Sequence, residues 1–110
     1  MTTMRRRREF AALVLTKRGR PVTEGYVHME IETSINGRAR EQRWSGKISS
    51  LTVPAAVLDG PYQLRPLDRT DLFPIQVVQG ADQRLGITSD EYLFLGEGDP
   101  PTIAAKGRSR

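Results

Sequence analysis

The clearest pattern along the chain is the alternation of apolar and polar residues in GYVHMEIETSINGRAREQRWSGKIS, which starts at Gly25. From Val27 to Ile35 every second residue is apolar or threonine and the residues between are polar, as in a strand with one buried face. Asn36-Gly37 then supplies two residues that accept positive φ, which a type I′ turn requires. The segment is predicted to be a β-hairpin.

A two-residue loop at Asn36-Gly37 fixes the hairpin register and pairs Met29 with Trp44. It also sets Glu32 opposite Glu41, which is a mildly unfavourable like-charge pair. A three-residue loop would remove that pair but would turn Glu41 toward the apolar face, and burial outweighs a charge pair in water. We therefore predict the shorter loop.

Short runs of the same kind predict the remaining strands, at residues 10–15, 50–53, 62–67, 73–77, 85–87 and 91–95. Pro54 and Gly60 bracket a segment that favours one short helical turn near residues 54–59. About six or seven short strands separated by turn signals, with almost no helical periodicity, are typical of a mainly β fold. The predicted fold class is a small antiparallel β-barrel or sandwich.

The first residues, MTTMRRRREFAALVLTKRGRP, place four arginines directly before the apolar run Phe10 to Leu15. This order resembles the start of an export signal, but six apolar residues are fewer than the usual 7 to 15, and charges follow instead of a cleavage site. The run therefore predicts the first strand. The expected organisation is a disordered basic tail over residues 1–8, a single β domain over 9–95 and a disordered tail over 96–110.

Composition adds constraints on location and charge. The 110 residues include no cysteine, which excludes disulfides and thiolate zinc sites, and no apolar stretch approaches the roughly 20 residues of a membrane span, so a soluble, cytoplasmic protein is expected. Seven of the 17 basic residues lie in the two tails, whereas the body from Glu9 to Thr102 carries ten basic and 13 acidic residues, a net charge of −3. The basic pI therefore comes from the tails.

Candidate catalytic chemistry is sparse. His28 is the only histidine, and with Glu30 it offers two ligands where a metal site needs three or four. A hydroxyl nucleophile would depend on the same histidine as its base, and the carboxylates Asp68 and Asp71 fit a solvated turn. We predict no catalytic residue, no metal site and no cofactor.

The arginines are the candidate contact residues. The apolar face of the hairpin becomes polar toward its tip, so the tip is predicted to project beyond the core. Arginines there and in the tail could contact phosphates, and Tyr26 and Trp44 could stack on bases if exposed. The candidate interaction or phosphate-contact residues are Arg5, Arg6, Arg7, Arg8, Arg38, Arg40 and Arg43.

The small β-barrel domain that binds cyclic dinucleotides also carries arginines before its first strand. Its two arginines lie four residues apart, whereas Glu9 lies four residues after Arg5, and its later Asp-x-Ser-x-x-Gly is absent. The sequence favours a non-enzymatic interaction module that docks onto a larger assembly, with a protein partner or a second copy. The alternatives are a nucleic-acid-associated accessory protein that uses the arginines, and a small ligand-binding barrel or enzyme.

Overall fold

The computed structural model describes residues 2–50, 59–79 and 91–103, which form a closed antiparallel barrel. No helix in this part of the chain is long and apolar enough to cross a membrane. Going around the barrel, the strand order is β1-β2-β3-β6-β5-β4, and β4 pairs with β1 to close the ring. The strands are β1 (Thr2–Leu15), β2 (Pro21–Asn36), β3 (Ala39–Ser50), β4 (Gly60–Pro66), β5 (Phe73–Gln79) and β6 (Glu91–Gly96).

This architecture confirms the predicted fold class of a small antiparallel β-barrel or sandwich. The strands predicted from residues 62, 73 and 91 are present as β4, β5 and β6. The helical turn predicted near residues 54–59 falls mainly on residues 51–58, and the strand predicted at 85–87 falls wholly within residues 80–90. Both of these ranges lie outside the described residues.

The barrel interior is filled by side chains that alternate inward along each strand, so burial follows the period of two. The rings of Trp44 and Phe94 meet edge to face with 5.8 Å between their centroids. The buried cluster comprises Phe10, Ala12, Val14, Val27, Met29, Ile31, Trp44, Ile48, Leu64, Ile75, Val77, Tyr92 and Phe94.

The hairpin between β2 and β3 forms as predicted, but its register is shifted by two residues. Asn36 pairs with Ala39, so the two loop residues are Gly37 and Arg38 rather than Asn36 and Gly37. Gly37 has φ 63°, which suits the first central position of a type II′ turn.

The shift has a clear physical reason. Ile31, rather than Met29, lies opposite Trp44, and Glu32 lies opposite Arg43 instead of Glu41. A shift of two residues leaves every side chain on its predicted face, and it replaces a like-charge pair with an opposite-charge pair.

The prediction that the first strand begins near Phe10 is wrong, because β1 already begins at Thr2. Residues 2–8 pair with residues 29–35 of β2. The arginines thus belong to a strand in the structure and not to a tail. β2 runs to Asn36 and places Glu30 and Glu32 beside the arginines of β1. Residues 2–8 therefore have a pairing partner that their own sequence does not reveal.

The segment after β6 packs on the barrel as far as it is described, although we expected a disordered tail from residue 96. Pro101 is fully buried, and Ile103 packs against the core cluster. The indole Nε1 of Trp44 donates to the carbonyl oxygen of Gly98 at 3.0 Å, and Nε of Arg8 donates to that of Ile103 at 2.9 Å. Residues 104–110 lie outside the described residues.

Candidate functional site

Three strands of the barrel continue beyond the point where the ring is closed. Pairing of β3 with β6 ends at Ser45 and Leu95, and pairing of β1 with β4 ends at Ala12 and Pro66. Beyond these residues β1, β2 and β3 pair with one another and with no other described strand. We call this extension the arm, and it comprises residues 2–8 of β1 and 29–44 of β2, β3 and the turn between them.

One face of the arm carries balanced charge. It faces away from the barrel interior, and we call it the outer face. Nε of Arg5 lies 3.1 Å from a carboxylate oxygen of Glu32, and Nε of Arg7 lies 3.7 Å from one of Glu30. The strand register places Arg43 on the other side of Glu32. Because strands alternate, the outer face holds three arginines and three glutamates, namely Arg5, Arg7, Arg43, Glu30, Glu32 and Glu41.

The opposite face of the arm continues the barrel interior, and we call it the core face. It carries Arg6, Arg8 and Arg40 and no acidic residue. Near the tip it carries two exposed apolar side chains, since Met4 has 53% and Ile35 37% of its surface accessible. The core face therefore combines positive charge with accessible apolar side chains.

The base of the core face is already occupied. Arg8 donates through Nε to the Ile103 carbonyl and through Nη1 to the Arg7 carbonyl at 2.7 Å. The bond to Ile103 connects β1 to the segment after β6. Arg6 and Arg40 make no side-chain ion pair or hydrogen bond with any residue that the structure describes. Both side chains are exposed in the structure.

The two aromatic residues proposed for stacking have different positions. Trp44 is only 3% exposed, and its ring faces Phe94, so it offers no surface to a base. Tyr26 is half-buried on the outside of the barrel, where its hydroxyl donates to Glu9 at 3.3 Å and its ring meets that of His28 edge to face. Stacking on Trp44 is therefore excluded in this conformation.

The structure brings the predicted arginines together in one sheet. Arg5 to Arg8 line β1, Arg40 and Arg43 lie on β3, and β2 separates the two groups. Arg38 lies in the turn at the tip and is exposed, as is Arg40, which agrees with the predicted projection of the tip. The two faces nevertheless divide these residues, so they do not form one continuous basic patch.

The enzyme alternative gains little from the geometry. His28 is exposed, and its Nδ1 lies 3.4 Å from a carboxylate oxygen of Glu9. Within the described residues no group of three potential metal ligands occurs. A cavity of about 370 Å³ lies between β3 and the end of β6, but Glu30 and Glu32 in its lining already face Arg7 and Arg5.

Sequence reasoning missed the sorting of charge between the two faces. It depends on the pairing of β1 with β2, because only that register sets Arg5 and Arg7 beside the glutamates. The sequence did contain a signal for this pairing. Glu30 and Glu32 are two residues apart, which is also the spacing of Arg5 and Arg7. The exposed apolar pair Met4 and Ile35 gave no comparable signal, because isolated apolar residues are common on surfaces.

No protein-family model matches the chain, and comparisons with curated proteins and with solved structures also gave no match. Function is therefore inferred from the geometry of the arm.

Proposed function

We propose that this protein is a non-enzymatic interaction module that docks onto a larger protein assembly through its arm. The observation that carries the proposal is the sorting of charge. The outer face is balanced, whereas the core face carries arginines without acidic neighbours among the described residues, and it has two exposed apolar side chains, Met4 and Ile35, near its tip. Apolar anchors within a charged surround are typical of protein interfaces, in which arginine and methionine are enriched.

The proposal predicts that crosslinking depends on the face of the arm. A photo-reactive benzoylphenylalanine in place of Ile35 is expected to form a covalent adduct of defined mass when cells that naturally produce the protein are irradiated. The same group in place of Ser34, the adjacent residue of β2 on the outer face, serves as the matched control. Adducts of equal yield at both positions, or none at Ile35, would contradict docking through the core face.

A nucleic-acid-associated role is the second candidate, and it is supported by Arg6 and Arg40, whose guanidinium groups have no partner among the described residues. Each phosphate that a basic residue neutralises steepens the dependence of log K on log salt by almost one unit. Since Trp44 is buried, binding would rest on phosphate contacts and would have little sequence preference.

For this candidate we expect a labelled single-stranded oligonucleotide to bind at low salt, as measured by fluorescence anisotropy. Replacing Arg6 and Arg40 by alanine should then reduce the salt slope by roughly 1.4 units, at about 0.7 units for each single-strand phosphate contact. Arg18 and Arg20, exposed between β1 and β2, provide a control double variant with the same charge change. Equal slopes for the two variants would indicate general attraction by net charge and would remove this candidate.

A further inference from the structure

The outer edge of β1 carries main-chain groups that the fold leaves open. β4 is the neighbour of β1 on this side, and their contact ends where the Leu67 amide donates to the Ala11 carbonyl at 3.1 Å. β1 nevertheless continues to Thr2, and among the described strands this stretch pairs only with β2. Within the part of the chain that the structure describes, this strand end therefore has one unpaired side.

The direction of these groups follows from the Ala11 hydrogen bond. In an antiparallel strand the N–H and C=O of one residue point to the same side, and alternate residues share that side. β1 pairs without a register shift from Thr2 to Val14. Because the Ala11 carbonyl points toward β4, the N–H and C=O groups of Thr3, Arg5 and Arg7 point to the same, open side.

The side chain of Arg8 gives independent support for this direction. Its Nη1 donates to the Arg7 carbonyl, as expected if that oxygen points to the open side. We call the N–H and C=O groups of Thr3 and Arg5, together with the N–H of Arg7, the open edge. No other backbone group in the described parts of the chain pairs with them.

The charge along this edge selects the kind of strand that could pair with it. Four consecutive arginines, Arg5 to Arg8, would lie against the same arginines if two copies paired antiparallel here, and like charges directly opposite each other are destabilising. Glu30 and Glu32 offset only two of the four charges. A strand with carboxylates would instead gain charge-assisted contacts on either face of the sheet.

We propose that the open edge binds an acidic, extended segment of a partner protein, which joins the sheet as an additional strand beside β1. This inference rests on the proposed docking function and names the chemistry of its partner. Such strand addition combines main-chain hydrogen bonds for affinity with side-chain contacts for specificity. Nucleic acid would use the arginine charges alone, so a dependence on the main-chain N–H separates the two classes.

The first test replaces Arg5 in two ways. Arg5→Ala removes the charge and keeps the N–H, whereas Arg5→Pro removes both and is tolerated at an open strand edge. The probe is a fluorescein-labelled peptide of alternating Glu and Val, with a Gln and Val peptide as its control. We expect the Kd for the Glu and Val peptide to be about tenfold higher with Arg5→Pro than with Arg5→Ala, because an edge hydrogen bond is lost and its peptide partner is left unsatisfied.

The second test uses the unaltered protein and so does not depend on how Arg5→Pro folds. The same peptide is N-methylated either at every Glu or at every Val, which blocks the N–H groups on one side or the other. We expect one methylated form to lose binding and the other to keep it. Four outcomes would each overturn the proposal. The two methylated forms could bind with equal affinity, or the two Arg5 variants could have equal effects. The Glu and Val peptide could fail to bind, or an oligonucleotide could bind more tightly than the peptide. Adduct formation at Ile35 would still report on docking itself, so the two proposals can fail separately.

Discussion

Replacement of Trp44 by alanine is expected to lower the free energy of unfolding by about 3 to 5 kcal/mol, as is usual when a buried tryptophan is truncated. Trp44 is almost fully buried, its ring packs edge to face on Phe94, and its indole N–H bonds to the Gly98 carbonyl. A domain of this size has a total stability of about 5 to 15 kcal/mol, so the loss is a large fraction of it. Urea titration followed by circular dichroism measures the change.

The matched control is Trp44→Phe, which keeps an aromatic ring in the core and removes the indole hydrogen bond. A smaller loss is expected, together with faster amide exchange in residues 97–103, because the bond to Gly98 helps to hold that segment on the barrel. If the alanine variant were as stable as the phenylalanine variant, the packing of the Trp44 ring in the core would not contribute to stability as we expect.

The second large effect is expected at Gly46, whose replacement by alanine should destabilise the barrel by about 1 to 3 kcal/mol or more. An added Cβ would overlap the carbonyl oxygen of His28, which is backbone of the neighbouring strand and has little freedom to yield. β2 and β3 would have to separate where both pass from the barrel into the arm. Thermal unfolding reports the loss as a lower Tm.

Ser45→Ala is the control for this substitution. It changes the adjacent, half-buried residue of β3 and introduces no new atom against the backbone of β2. We expect its effect to stay within about 0.5 kcal/mol, as for most surface changes. A Gly46→Ala variant as stable as Ser45→Ala would show that the two strands separate more easily than their contacts indicate.

The sequence predicts most of the barrel because burial and alternation coincide there. Val27, Met29 and Ile31 show the period of two and are all buried, and Gly37 marks the turn. The hairpin register was predicted two residues away from the observed one because both registers bury the same face. The choice between them depends on turn type and on cross-strand charge, which the pattern records only weakly.

The arm was less predictable, because its strands are held by pairing rather than by burial. Nothing in Thr2 to Arg8 alternates between apolar and polar, so this stretch reads as a tail until its long-range partner in β2 is known. The segment after β6 is a related case. Its proline and glycine content is typical of disorder, but Pro101 lies in the core and the Gly98 carbonyl accepts the bond from Trp44.

The three strands of the arm run without interruption from the barrel wall to the tip. β2 and β3 keep one register along their whole shared length, and the only irregularity between β1 and β2 lies at Val14 and Leu15, at the opposite end of the barrel. In the described strands the arm therefore has no hinge. If the arm docks as proposed, its conformation is already set before a partner arrives. The loss of conformational entropy on association then falls mainly on the incoming segment, so an interface of modest area can reach useful affinity.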